Sequence, residues 1–145
     1  MTSFKHIKYL LAGNPHTTPK IFTRLALSKW VKVRRRVAEN YGCPVEVLKS
    51  LSTDKSTEVR IAVASNPNLN KLIVEKLSLD KNPDVRFWIA SNANLPIDIL
   101  KTLSQDQNPF VSSRARKTLS RLRTENEPRF SPEISIDNKP NRKPA

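Results

Sequence analysis

A single cysteine, Cys43, stands among 145 residues. One cysteine excludes an intramolecular disulfide and a cysteine-built metal cluster, and its expected place is the core, as a small apolar side chain. The two histidines, His6 and His16, lie at no ligand spacing with it. Only two glycines occur, so there is no glycine-rich loop to cradle a phosphate, and the turns must be made by other residues. No run of about 18 apolar residues exists, which argues against a membrane-spanning helix. The opening residues, M-T-S-F-K-H-I-K-Y-L-L-A-G-N-P, are too polar for the apolar stretch of a secretory signal. A cytoplasmic location is the expectation. Acidic residues are scarce too: 13 Asp and Glu stand against 26 Lys and Arg, a formal charge of +13 that favours anionic partners.

What the chain does have is a repeat of 26 residues. Asp54 to Pro67 reads D-K-S-T-E-V-R-I-A-V-A-S-N-P, and Asp80 to Ala93 reads D-K-N-P-D-V-R-F-W-I-A-S-N-A. Asn14, Asn40, Asn66 and Asn92 share a column. So do Ala12, Ala38, Ala64 and Ala90; Val33, Val59, Val85 and Val111; and Leu25, Leu51, Leu77 and Leu103. A fixed period of this size marks a stack of units, each able to bury its apolar face only against its neighbours.

Two short helices fit each period. The first carries Ile21, Phe22 and Leu25, then Val47, Leu48 and Leu51, then Ile73, Val74 and Leu77, then Ile99, Leu100 and Leu103. The second is built on Val33 and Val37, Val59 and Val63, Val85 and Ile89, with Ile7 and Leu11 in the same columns one period earlier. Ser56, Asn82 and Asn108 are expected N-caps, each before a Thr or Pro suited to the first helical position. The Asn column, often followed by proline, is expected to stop the second helix. Helices of about eight to ten residues are unstable alone in water, so stacking must hold them. The alanine column then reflects close approach of adjacent units.

The fold class expected is all-α: a right-handed α-solenoid of about four and a half two-helix repeats over residues 1–123. It comprises a half repeat at 4–13, repeats near 14–39, 40–65 and 66–91, and a last unit at 92–123 with a C-terminal cap helix. Arg116 replaces the column alanine there, as a polar outer face requires. Residues 124–145, proline-rich and without period, are expected to be a disordered tail.

Two charged columns run through the stack. Asp54, Asp80 and Asp106 form one; Arg34, Arg60 and Arg86 form the other. Pairing each Asp with the Arg of the preceding unit leaves none over: Asp54 with Arg34, Asp80 with Arg60, Asp106 with Arg86. An Asp–Arg ladder tying successive units is the expectation.

The 26-residue V-R-x-x-V-A-x-N-P unit followed by P-x-x-x-L-x-x-L resembles the leucine-rich repeat variant, a short relative of HEAT and armadillo α-solenoids. The resemblance covers residues 4–120. It implies an α-solenoid in which one helix of each pair can be short or 3₁₀, and a binding role rather than a reaction. Some members carry an iron–sulfur cluster in an N-terminal cysteine-rich segment. Cys43 alone cannot supply four ligands, so no cluster, and no other cofactor, is expected.

No catalytic constellation is present, and the chain is read as not an enzyme. Its charge is uneven. Residues 1–50 hold ten Lys and Arg against two Asp and Glu, residues 51–106 seven against seven, and residues 107–145 nine against four. On the second helices one column runs Arg35, Ile61, Phe87, Ser113, and the next Arg36, Ala62, Trp88, Arg114. If these helices line a concave face, an apolar strip with basic ends faces the groove. The expected partner-binding residues are Trp30, Lys32, Arg35, Arg36, Ile61, Phe87, Trp88, Arg114 and Lys117. The favoured partner is an acidic or amphipathic protein segment, bound by a chain that is monomeric alone. The alternative is DNA or RNA, with Lys and Arg on phosphates and Trp30 or Trp88 stacking on bases. A gap-filling role for Trp88 above the alanines is the plain structural alternative.

Overall fold

The computed structural model describes residues 3–126. Among them the elements are α1 (Phe4–Gly13), α2 (Pro19–Ala26), α3 (Val31–Glu39), α4 (Val45–Leu51), α5 (Thr57–Ala64), α6 (Lys71–Ser78), α7 (Pro83–Ala90), α8 (Ile97–Leu103) and α9 (Pro109–Asn126). No strand occurs among the described residues. Both helices of each pair are α-helical, including the first ones, which the family resemblance allowed to be 3₁₀.

Every substantial contact joins helices one or two places apart along the chain. The odd-numbered helices pack into one row and the even-numbered into another, and α2, α4, α6 and α8 lie against α3, α5, α7 and α9. The odd row is closely packed at each step, whereas α2 and α4, or α6 and α8, touch over only a few residues. A stack tight on one side and splayed on the other curves with the tight row inside. The odd helices form the tighter row, the side on which a concave face is expected.

The apolar columns make the core. Val33, Val37, Val59, Val63, Val85 and Ile89 are fully buried, as are Phe22, Leu48, Leu77 and Leu100 on the even helices. The column alanines, Ala12, Ala38, Ala64 and Ala90, are sealed between successive odd helices. Cys43 is buried with them, and burial pushes its thiol up to about 12, so it stays protonated at neutral pH.

Two polar ladders cross-link the units. Arg34 donates from Nε and Nη2 to the two carboxylate oxygens of Asp54, at 2.6 and 3.0 Å. Arg60 grips Asp80 at 2.7 and 3.2 Å, and Arg86 grips Asp106 at 2.7 and 2.9 Å. This is the registry expected from the columns. Each Arg also donates its Nη1 to a backbone carbonyl six residues earlier, that of Ser28, Asp54 or Asp80. Because that bond uses the carbonyl, Ser28 serves as well as an aspartate there. Each Asp in turn accepts from the amide two residues on, that of Ser56, Asn82 or Asn108, shaping the loop that leads into the next odd helix. The planar guanidinium suits this forked geometry, and a lysine would not reproduce it.

The second ladder is the asparagine column. Asn40 is buried and donates Nδ2 to the carbonyls of Ala12 and Asn14, at 2.9 and 3.0 Å. Asn66 does the same to Ala38 and Asn40, at 2.7 and 3.2 Å. The carbonyls left open at the end of one odd helix are thus closed by the side chain of the next unit. Asn14 and Asn40 sit at the C-caps of α1 and α3, as a stop signal should.

Two local expectations are corrected. Ser56 precedes α5 but its hydroxyl makes no cap bond; Asp54 orders that loop instead. Asn82 and Asn108 do cap through Oδ1. The last helix runs to Asn126, three residues past the expected end at Arg123, and takes in the start of the expected tail. Thr118 occupies the asparagine column without a following proline, so nothing breaks the helix, and Arg121 and Glu125 pair one turn apart. The rest of that tail, residues 127–145, lies outside the described residues.

Candidate functional site

The expected concave face is a row of five odd helices, each contributing the residues one turn apart that its neighbours leave open. On α7, Phe87 is half-buried against the core and Trp88 is 45% exposed. Their rings meet edge to face with centroids 6.5 Å apart. Ile61 on α5, in the column of Phe87, is half-buried, and Ala62 is buried. On α9, the Arg114 guanidinium lies over the Phe87 ring at 4.8 Å from its centroid. Phe87, Phe110, Ser113, Arg114 and Lys117 together line a shallow cleft of about 220 Å³. Phe110, 75% exposed, extends the apolar strip beyond the expected set. Its signal was available in the column His6, Lys32, Glu58, Asp84, Phe110, where it alone is apolar.

The other end of the strip differs from expectation. Arg35 is half-exposed but not free. Its Nε is 2.7 Å from Glu39 Oε1, and its Nη1 is 3.8 Å from Glu58 Oε2. The Glu39 hydrogen bond, more than the nearby charges, raises its pKa further. Arg36 lies 3.6 Å from Glu39 Oε2 and over the Tyr9 ring, at 5.6 Å from its centroid. Its Nε is buried against Gly13 and makes no hydrogen bond. A Cβ on Gly13 would fall 2.6 Å from that nitrogen, so glycine there makes room for the guanidinium. Trp30 sits at the N-cap of α3, partly buried, with the ammoniums of Lys8 and Lys29 about its ring at 5.3 and 5.1 Å. Of the expected basic flank, Lys32 is exposed and unpaired by any carboxylate; it shares a cleft with Tyr9, Arg35 and Glu39.

The structure thus brings Phe87, Arg114 and Lys117 into one cleft with Trp88 edge-on to Phe87, while Ile61 stands one unit earlier in the column of Phe87. Trp30, Lys32, Arg35 and Arg36 form a separate cluster at α3, in which Glu39 pairs with both arginines. Among the described residues no group of three His, Cys, Asp or Glu side chains could hold a metal ion, and no helix is long and apolar enough to cross a membrane.

The fold is that of an all-helical stack of paired helices. Compared with protein-family models, with curated proteins and with solved structures, the chain finds no match.

Proposed function

We propose that this chain is a non-catalytic binding module of the leucine-rich-repeat-variant kind, acting in the cytoplasm as an adaptor or assembly factor. Its concave strip docks an acidic, amphipathic protein segment. The observation that carries this reading is the cleft of Phe87, Phe110, Arg114 and Lys117: Phe110 is 75% exposed, and Phe87 lies under the Arg114 guanidinium and is braced edge-on by Trp88, itself 45% exposed. An exposed aromatic in a shaped cleft with cations at its rim is the pattern of an interface anchor. Apolar residues of the partner would cover Trp88 and Phe110, and its carboxylates would meet Arg114 and Lys117.

A nucleic-acid track fits less well. Glu58 and Asp84 stand exposed in the middle of the concave face, Arg35 and Arg36 are engaged by Glu39, and the ring of Trp30 is attended by two lysines. Affinity capture with and without nuclease tests the reading. A protein partner retained after nuclease, with weak salt dependence, supports it. Loss of the captured material on nuclease treatment, with a log–log salt slope near −5 as for about six phosphate contacts, replaces it with nucleic-acid binding.

A further inference from the structure

The two ends of the stack are finished differently. At α9 the outward column holds Arg116, joined by exposed Arg121 and Arg123, so the last helix turns charge to solvent. At α1 there is no such exchange. Ile7 and Leu11 stand in the columns of Val33 and Val37, which are fully buried, yet they are 44% and 37% exposed. Phe4, one turn before Ile7, is 80% exposed. At 100° per residue Phe4, Ile7 and Leu11 lie within an arc of about 60° on one side of α1. The equivalent side of α3, α5, α7 and α9 is covered by α2, α4, α6 and α8. Among the described residues α1 has no such cover.

We propose that this face of α1 is a second docking surface, separate from the concave strip, and that its occupant is a short acidic amphipathic helix of a partner protein. The helix would sit where an even-numbered helix sits in every later pair. Two observations select this occupant. The first is register. The face is the counterpart of the apolar pattern that covers each later odd helix, two adjacent apolar residues and a third one turn on, as in Val47, Leu48 and Leu51. The second is charge. Residues 1–38 contain nine Lys and Arg and no Asp or Glu, and of these Arg34, Arg35 and Arg36 are engaged by Asp54, Glu39 and Glu58 while six remain. Lys5 and Lys8 on α1, and Lys20 and Arg24 on the adjoining α2, are all exposed. An acidic helix meets complementary potential there, whereas a second copy of this chain would bring the same cations against themselves.

The probe is a stapled, fluorescently labelled helix with the apolar spacing of α4 and glutamate at its remaining positions, titrated with the full chain. Saturable binding is expected, weakened at least tenfold by Ile7→Glu and by Phe4→Glu, and by exchange of the peptide's glutamates for lysines. Neither residue belongs to the core cluster, so both variants should keep the wild-type circular dichroism. Trp88→Ala should leave this binding unchanged, which separates failure here from failure of the concave-strip reading. The proposal is overturned by no saturation up to about 1 mM peptide, the weak end of specific recognition. Binding that survives both α1 variants also overturns it. So does an Ile7-dependent attachment to anionic vesicles without peptide binding, or an Ile7-dependent dimer in sedimentation.

Discussion

Arg60 Nε and Asp80 Oδ2 lie 2.7 Å apart across twenty residues of chain, with only 8% and 9% of their side chains exposed. The same fork is repeated by Arg34 with Asp54 and by Arg86 with Asp106. Pairs so little exposed are unlike surface ion pairs: their charges are held by the units they join.

Removing one partner should therefore hurt more than removing both. Asp80→Ala leaves the Arg60 guanidinium in a dry site and should cost about 3–5 kcal/mol. Replacing the pair together, Arg60→Met with Asp80→Leu, should cost clearly less than the sum of the single changes. Urea denaturation of the two single variants and the double variant measures this, and simple additivity would show that the pair is not coupled.

The ladder also sets an acid limit. Burial pushes the Asp54 and Asp80 carboxyls up, but hydrogen bonds from Arg34 or Arg60, from the following amide and from the nearby charge outweigh it. For Asp106 the bond from Arg86 is the leading cause. All three end below their ordinary value of 3.8. Groups so depressed bind protons more readily unfolded than folded. Their contribution is complete above the ordinary value and is lost as pH falls below it toward the folded value. Thermal midpoints should hold from neutrality to about pH 5 and drop steeply below pH 4. The drop should be shallower in the Arg60→Met, Asp80→Leu variant.

The asparagine column allows a comparison of like with like. Asn66→Ala removes a buried donor from the carbonyls of Ala38 and Asn40 and should cost about 1–3 kcal/mol. Asn92, in the same column, makes no bond to Ala64; its Oδ1 accepts only from the Asn94 amide. Asn92→Ala should cost less than about 1 kcal/mol. Equal losses in chemical denaturation would mean that the cross-unit bonds contribute little.

Trp88 should separate binding from stability. Because it is 45% exposed, Trp88→Ala should shift stability by under about 2 kcal/mol, well short of a core truncation. Leu77→Ala, fully buried in the middle of the stack, should cost about 2–5 kcal/mol. Capture of the partner should fall at least tenfold for Trp88→Ala while its melting curve stays close to wild type. A variant that melts early but still captures would place the strip in the core rather than at an interface.

The repeat made much of this fold legible. Columns 26 residues apart name the buried valines and alanines directly, and the count of Asp against Arg gave the registry of the ion pairs before any coordinates. The asparagine ladder was not legible in the same way. An Asn-Pro step reads locally as a helix stop, and the partners of Asn40 and Asn66 are backbone carbonyls, which every residue possesses. One clue lay in Thr118, a polar residue kept in that column where the helix does not stop; its hydroxyl donates to the Ala90 carbonyl at 2.7 Å. On the candidate site, Phe87 stood out as the aromatic member of the column Arg35, Ile61, Phe87, Ser113, and Trp88 as that of the column Arg36, Ala62, Trp88, Arg114. The neutralisation of Arg35 did not, although Glu39 follows it by four residues on the same helix face.

Asn92 has a mechanical consequence. Three of the four junctions between odd helices are clasped by a side chain from the next unit: Asn40 on Ala12, Asn66 on Ala38 and Thr118 on Ala90. The junction of α5 with α7 lacks its clasp and instead holds an open cleft of about 300 Å³, bordered by Ala64, Trp88 and Asn92. A rod bends where it is least riveted. Here the compliant joint runs between Ile61 and Phe87, so flexing it would widen or narrow the aromatic strip and let one scaffold grip segments of different girth.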